Sequence, residues 1–397
     1  MAEYAKLNDV VAADIVKING VAYASVAKCS GLSSPSSGAS RWVCVNGGGY
    51  VVHAANSDRT SWTSYDNTNS TPQQIAVAFG KNSSGAGLYV AVTTSHQREI
   101  MVSGTDVTSG IWTDVNISPN KDQYGVAWGA KSDGATAGVW MTVGDSGTVY
   151  RSTDGASSFS KVSMSSTNLG SKDLWDIASN GSGKWAFGAE EYLYVSTDDG
   201  ATFSESEPWS TNEPGKVKGI VHTNSSWVIA YRRGSAVHFR SCSDSDMTDW
   251  SDEFSVNATN FPWRSSNGLS GGEEYEAVFH DPSGQLDFIR MAAFNGKVCA
   301  ISTNCEVILS FNVNGKTMSG GAFRDGNASV ETGLDTDGDL FADICTDGVT
   351  WLASCRGGDV FESTDNGDTW TQVLNDHSDD GVQNHLNGIT CDVVLPL

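Results

Sequence analysis

Ser363-Thr364-Asp365-Asn366-Gly367-Asp368-Thr369-Trp370, Ser196-Thr197-Asp198-Asp199-Gly200-Ala201-Thr202-Phe203 and Ser152-Thr153-Asp154-Gly155-Ala156-Ser157-Ser158-Phe159 are three versions of one phrase. Each follows a short strand-like run, and each is chemically a tight turn. An Asp carboxylate at that position can accept hydrogen bonds from the amides of its own turn. Gly200 and Gly367 permit the left-handed backbone that such a turn requires, and the closing aromatic is suited to burial between neighbouring sheets. Three copies make the chain a repeat protein, so the same period is expected along its whole length.

The period is found through the partner of each closing aromatic. Trp42, Tyr89, Trp140, Trp185, Trp227 and Trp351 each open a short apolar strand, with Val298 as a weaker seventh member. Their matching residues at the turn are Trp62, Trp112, Phe159, Phe203, Trp250, Trp370 and, for Val298, Met318. The separation within each pair stays between 18 and 23 residues. Degenerate turns fall where this register places them, at Ser57-Asp58, Asp106, Ser241 to Asp246 and Ser310 to Gly315. Upstream lie further apolar runs: Ile75–Phe79, Tyr124–Trp128, Leu174–Ile177, Phe288–Met291 and Leu340–Ile344. Four short strands in about 50 residues is the signature of a propeller blade.

The repeated phrase resembles the Asp-box of sialidase-type β-propellers. Resemblance and period together imply an all-β fold, a seven-bladed β-propeller of four-stranded blades, with Asp154, Asp198 and Asp365 as structural box residues. The first unit has no strand directly upstream, and Leu386 to Val394 reads as a surplus inner strand. Ring closure by that C-terminal strand would remove the open edges of the first and last blades. The expected organisation is an N-terminal arm over 1–31, a Ser/Gly-rich linker over 32–40 and the propeller over 41–397. Within the arm, Val11 to Gly20 and Val21 to Gly31 form a tandem repeat, each copy carrying Lys-x-x-Gly, able to pair as a small β-arch. It is similar to short N-terminal repeats of tailed-bacteriophage structural proteins, which implies docking to other virion proteins or homo-oligomerisation; the plainer reading packs it on the outside of its own propeller.

Composition narrows the partners. Twenty-four Lys and Arg against 47 Asp and Glu give a net charge of −23, a surface that repels phosphate backbones. Nucleic acid is therefore excluded as an expected partner. The start, Met1-Ala-Glu-Tyr-Ala-Lys6, has no apolar segment behind a basic residue, and no run approaches the roughly 18 apolar residues of a membrane span. The expectation is synthesis in a host cytoplasm without membrane insertion, followed by incorporation into a virion. Eight cysteines show no Cys-x-x-Cys spacing and read as buried thiols, although Cys299 with Cys305 or Cys345 with Cys355 could meet across strands.

Candidate sites are few. Sialidases hold substrate with an arginine triad whose first member sits in a Phe/Tyr-Arg-Ile-Pro motif; neither Arg41 nor Arg59 has that setting. Glu190, Glu191, Glu273, Glu274, Glu276 and Asp281 could supply the two carboxylates of a glycoside hydrolase, against the plainer reading of solvated loop charges. Asp335, Asp337 and Asp339, alternating around Gly338, resemble the start of a calcium loop but lack its later bidentate Glu. The plainer reading is an ordinary acidic turn, so no cofactor is expected, with Ca²⁺ at this loop as the one alternative. The seven histidines form no zinc spacing, and no phosphate loop or Gly-x-Ser-x-Gly elbow occurs. Two tryptophans outside the repeat, Trp209 and Trp263, lie in connections that flank the fifth blade on the face opposite the boxes. With Arg264 and Tyr275 they form the ligand groove the sequence favours, the alternative being loop anchors.

Three function classes remain. A virion structural or adhesion propeller binding host-surface glycan or a neighbouring virion protein accounts for the arm and for the missing catalytic motifs. A hydrolase of cell-surface polysaccharide would need a carboxylate pair in one groove. A soluble assembly factor is the third class, since Val143 to Tyr150 is similar to a stretch of propeller-type photosystem II assembly factors.

Overall fold

The computed structural model describes residues 41–67, 73–94, 100–104, 107, 112–164, 169–209, 215–233, 236–251, 254–255, 289–302, 307–325, 341–374 and 386–393, with backbone alone at 17–18, 21–22, 236, 254–255, 302, 307 and 320–325. Contacts divide the chain into residues 1–39 and 40–395. In the first unit, Lys17–Ile18 pairs antiparallel with Val21–Ala22 across Asn19-Gly20, where the two tandem copies meet.

The second unit is a ring of seven antiparallel sheets of four strands, the fifth sheet carrying an additional short strand, with no α-helix among the described residues. Blade 2 is representative: Gln74–Lys81 lies innermost, followed outward by Gly87–Thr93, Ile100–Ser103 and Trp112–Val115. The inner strands of blades 3 to 7 are Gln123–Gly129, Ile177–Ser179, Lys216–Thr223, Ile289–Phe294 and Phe341–Thr346. Adjacent inner strands touch around the full circle. Blade 1 takes its inner strand from the far end of the chain: Leu386–Cys391 pairs with Arg41–Asn46, setting Trp42 opposite Cys391 and Cys44 opposite Ile389. Arg59 adds a two-pronged ion pair to Glu362 of blade 7, both contacts at 2.8 Å.

The core is divided among the seven seams between blades, and every seam is built on the same plan. The residue that opens a blade's second strand and the one at its outer turn close on the residue just after the corresponding opener in the preceding blade. Tyr89 and Trp112 meet Val43; Trp140 and Phe159 meet Val90; Trp185 and Phe203 meet Met141; Trp227 and Trp250 meet Ala186. Val298 and Met318 meet Val228, Trp351 and Trp370 meet Cys299, and Trp42 and Trp62 meet Leu352. A buried aromatic side chain removes about 150–250 Å² from water, on the order of 4–6 kcal/mol at about 25 cal/mol per Å². This is the physical reason for the sequence period, since each pair of large residues seals one seam.

The three matching phrases form the turns between the third and fourth strands of blades 3, 4 and 7, with one hydrogen-bond plan. In blade 4, Ser196 Oγ donates to Asp198 Oδ1 at 2.7 Å and accepts from Gly200 N at 2.9 Å. Asp198 accepts Thr202 N at 2.9 Å on Oδ1 and Thr202 Oγ1 at 2.6 Å on Oδ2. Ser152, Asp154 and Ser158 repeat this plan in blade 3, and Ser363, Asp365 and Thr369 in blade 7. Gly200 and Gly367 have φ of +74° and +83°, and Ala156 holds the same position at +67°. Blades 1 and 5 use a two-residue turn instead, Asn56-Ser57 and Asp244-Ser245. There the first turn residue accepts the indole N–H of its own blade, Trp42 to Asn56 at 2.9 Å and Trp227 to Asp244 at 2.7 Å.

Of the suggested thiol pairs, Cys345 stands opposite Leu352 and Cys355 opposite Phe341, so they do not face one another. Cys305 lies outside the described residues.

Candidate functional site

Successive strands of a blade run in opposite directions, so its loops alternate between two faces. The Asp198-type turns share a face with the loops leaving the inner strands. The connections between blades open on the opposite face. Each inner strand therefore begins at the opposite face and ends at the face of the turns.

At the beginning of these strands the pairing is irregular in a recurring way. A one-residue bulge lies between Gln74 and Ala76, Gln123 and Gly125, Val217 and Gly219, and Phe341 and Asp343, and the closing strand has its own at Asn387. A bulge releases one residue from the alternating pattern and re-aims its side chain. The residues released are Ile75, Tyr124, Lys218, Ala342 and Asn387. Tyr124 stacks on Trp175 with ring centroids 5.2 Å apart and 15° between planes, and Lys218 Nζ lies 3.7 Å from the Trp175 centroid. All three side chains are buried.

The inner strand of blade 6 pairs without a bulge and contributes Arg290. Its guanidinium crosses the axis to donate to the carbonyl of Tyr124 in blade 3 at 2.9 Å and to that of Trp175 at 3.4 Å. Asp176 lies 3.8 Å from it. Asp176 accepts the amides of Ile177 and, in the next blade, Ile220, at 2.9 and 3.0 Å. Asp343 does the same for Ile344 and Ile389, at 2.9 and 3.0 Å. Each carboxylate thus ties its own inner strand to the following one. Burial raises both carboxyls to about 6, while the Arg290 charge and the accepted amides pull the other way.

Above this plug the axis holds a cavity of about 300 Å³. Its rim on the face of the turns is made by equivalent positions two residues beyond the seam-facing aliphatics: Phe79, Trp128, Ser179, His222, Ala293 and Thr346. Phe79 and Trp128, in adjacent blades, are half-buried. The Trp128 indole rests on Gly80 and Gly138, where a Cβ would come within 2.2 and 2.6 Å of it, and donates to the carbonyl of Ala137 at 3.0 Å. Lys81 Nζ stands 5.8 Å from the Trp128 ring. His222 is buried, edge-on to Trp227, with neither ring nitrogen hydrogen-bonded within the protein. Burial lowers its pKa to about 4, with Asp244 opposing, so its imidazole is neutral at pH 7.

Trp209 lies in the connection from blade 4 to blade 5, on the opposite face. Its indole N–H donates to the carbonyl of Glu191 at 2.8 Å, and its ring packs edge-on to Tyr231 at 4.8 Å. Arg240 secures the same loop through the carbonyl of Pro208 at 3.0 Å. Glu190 is held by Lys216 at 2.6 Å and Lys172 at 2.9 Å, and those hydrogen bonds lower its pKa to about 2. Trp263, Arg264, Tyr275, Glu273, Glu274, Glu276, Asp281 and the Asp335, Asp337 and Asp339 loop lie outside the described residues. The axial rim has no counterpart among the sequence expectations. Its residues are separated by whole blades, and the one signal for it is their shared place in the repeat.

No protein-family model matches the sequence, and no curated protein matches it. Solved structures do. An ancestral GH74 enzyme is 14% identical over 85% of this chain with a TM-score of 0.50, and the chain spans 46% of that enzyme's length. The β-propeller domain of Cps50 (Swd1) from Myceliophteria thermophila is 10% identical over 81% of this chain and 90% of its own, with a TM-score of 0.51. YCF48 bound to D1 peptide is 14% identical over 77% of this chain and 82% of its own, with a TM-score of 0.48. At such identities the likeness is one of architecture, and what this chain shares with the first two is the β-propeller fold.

Proposed function

We propose that this chain is a non-enzymatic structural and adhesion protein of a tailed-bacteriophage virion. Its propeller engages host-surface glycan or a neighbouring virion protein through the face opposite the Asp-box turns. The N-terminal arm is its tether to the particle. Trp209, Trp263, Arg264 and Tyr275 are the contact residues, and the Asp154, Asp198 and Asp365 turns are Asp-boxes with a scaffold role. Asp335, Asp337 and Asp339 are a Ca²⁺ loop under this reading.

The observation that carries the non-enzymatic reading is how four of the described carboxylates near that face are spent. Glu190 is bound to two lysines, Asp145 to Lys121 at 3.1 Å, and Asp176 and Asp343 to backbone amides of two blades each. Glycoside hydrolysis needs two carboxyls free to hold and release a proton over one groove, whereas these four stabilise the frame. The test is to incubate full-length protein with a panel of bacterial surface polysaccharides and record both retention and chain length. Retention without shortening is expected, weakened in Trp209→Ala. Shortening of any glycan overturns the reading in favour of a hydrolase.

A further inference from the structure

On the face of the turns, the outer turn of each blade sits beside the loop that joins the first two strands of the preceding blade. Between blades 3 and 4 this junction is closed. Loop 130–138 of blade 3 brings Ser132 onto Asp199, whose carboxylate accepts Ser132 N at 2.8 Å and Ser132 Oγ at 2.7 Å. Asp199 N donates to the carbonyl of Gly183 at 2.9 Å, and a Cβ on Gly183 would fall 2.8 Å from Ser132 Cβ. Other junctions are closed by Gly155 against the backbone of Asn82 and Ser83, and by Asn180 donating to Asp244 at 3.1 Å. Gly315 N donating to Ser226 Oγ at 2.8 Å and Asn56 donating to Asp347 at 3.3 Å close two more.

Between blades 6 and 7 the junction is open. Blade 6 turns on two residues, Asn295-Gly296, at φ of +49° and +80°, and so has no loop to lay across its neighbour. Lys297 Nζ holds Asp368 at 3.2 Å to one side. A groove of about 300 Å³ remains between Asn295, Val349 and Asn366. Asn366 takes the place of Asp199, with φ of +65° against +60°. Among the described residues, neither its carboxamide nor its backbone N–H has a hydrogen-bond partner, and the Asn295 carboxamide has none. All three of these residues are exposed, so their polar groups are open to a ligand.

The apolar lining differs from the closed junction as well. Val349 stands just before Thr350 as Gly183 stands before Lys184, and it is 74% exposed, the one large hydrophobic side chain so placed among the described residues. Phe294 lines the groove at the strand position that Gly129 holds in blade 3. Two positions that are glycine at the closed junction are thus apolar side chains at the open one. The carboxylate in the lining, Asp365, is committed to Ser363 and Thr369. A carboxamide beside an unpaired N–H matches a peptide unit, which carries one donor and one acceptor. The repeat supplies polypeptide, and no other chemistry, as the occupant of each closed junction.

We propose that this groove receives a loop of a partner protein, docked as Ser132 docks on Asp199. The loop presents a serine or threonine whose N–H and hydroxyl meet Asn366, with a neighbouring aliphatic side chain seated between Phe294 and Val349. The site lies on the face of the turns, so it does not rest on the opposite-face reading above.

The test uses full-length protein labelled with ¹⁵N-asparagine and cyclic peptides copying residues 129–139, with Ser132 kept and Ala, Val, Leu, Ile or Phe in place of Lys131. At least one peptide with an aliphatic residue there should shift the side-chain amide resonances of Asn366 saturably, these being assigned by their loss in Asn366→Gly. Glycine accepts the left-handed backbone at 366, so the turn is kept. Binding should fall about tenfold in Asn366→Gly, the worth of one or two hydrogen bonds, and by a similar factor when the peptide carries Ala in place of Ser132. Val349→Gly, which restores the residue of the closed junction, is the second variant. It should weaken the Val, Leu and Ile peptides and leave the Ala peptide unchanged. Trp209→Ala should bind every peptide as the parent does, so that failure of glycan retention and failure of peptide binding report on different faces. The proposal is overturned if no peptide moves Asn366 at millimolar concentration, or if the peptides bind Asn366→Gly and Val349→Gly undiminished. It is overturned equally if the methyl glycosides of glucose, galactose, mannose or N-acetylglucosamine move Asn366 and the peptides do not, a result that would make the groove a glycan subsite.

Discussion

Gly200→Ala isolates the feature on which the repeat turns depend. Gly200 has φ of +74°, and a Cβ built there falls 2.3 Å from Met141 Sδ, in the second strand of the preceding blade. The left-handed backbone costs an alanine about 1–2 kcal/mol. Overpacking adds about 1 kcal/mol, the low end of its range because a methionine can shift its sulfur. Fewer conformations in the unfolded chain return about 0.4–1 kcal/mol. The net loss is about 1–2.6 kcal/mol, read by urea denaturation followed through tryptophan fluorescence. Steric and backbone contributions separate in a double-mutant cycle with Met141→Ala. That change alone costs about 2–5 kcal/mol as a buried Met truncation, and it removes the atom the new methyl strikes. The double variant should be about 1 kcal/mol more stable than the sum of the singles predicts. Blade 3 offers the natural comparison, because Ala156 occupies the equivalent site and shares its seam with Val90 in place of Met141. A loss below about 0.5 kcal/mol for Gly200→Ala, or strict additivity with Met141→Ala, would refute the steric account of why this position is glycine.

Three further outcomes are expected. Deleting residues 386–397 strips the inner strand from blade 1 and uncovers Arg41–Asn46 as an edge, so the protein should be recovered as aggregate and show no cooperative melt; a soluble monomer by size-exclusion chromatography would contradict ring closure. Arg290→Met, which keeps bulk and removes charge, should destabilise by about 3–5 kcal/mol at pH 7.5 by leaving Asp176 and Asp343 uncompensated, with a smaller loss at pH 5 where both gain protons; equal losses at the two pH values in denaturant melts would contradict this. Mild acidification should stabilise the parent. Asp176 and Asp343, with folded values near 6 against 3.8, contribute stability that is full below 3.8 and is lost as pH rises through 6. His222, near 4 against 6.5, works in the opposite sense and loses its contribution as pH falls. Two groups against one leave a gain of about 1 kcal/mol from pH 7 to 5, growing to about 2–3 kcal/mol in His222→Phe, checked by denaturant midpoints.

The blade count, the second strands, the outer turns and the closing strand were all legible in the sequence because the seams demand large residues at fixed spacing. Trp42, Tyr89, Trp140, Trp185, Trp227, Val298 and Trp351 all lie in second strands. Inner strands were harder. That of blade 4 begins at Ile177, later than the apolar run from Leu174, and that of blade 5 contains Lys216, Lys218 and His222 and carries no apolar run like those of its neighbours. The bulges explain part of this, for they break strict alternation at the residues that turn toward the axis. Turn chemistry also varied beneath a constant register: Asp58 and Asp246 bond Thr60 and Thr248 two residues on, already within the fourth strand, where Asp154, Asp198 and Asp365 accept from residues four positions on. The axial pocket was invisible for a different reason. Phe79, Trp128 and His222 belong to separate blades, and nothing local marks residues that meet through rotation about a common axis.

The seam between blades 7 and 1 differs from the rest in when its parts exist. Trp42, Cys44 and Val52 leave the ribosome long before Leu352, Val360, Leu386 and Ile389, which complete the same seam from the other end of the ring. The other six seams have their strands once residue 374 has emerged, while the first blade still offers a bare backbone edge. Any second copy of the chain carries the same closing segment in the same register. Two chains released side by side can therefore exchange tails, each completing the other's circle with every native hydrogen bond preserved.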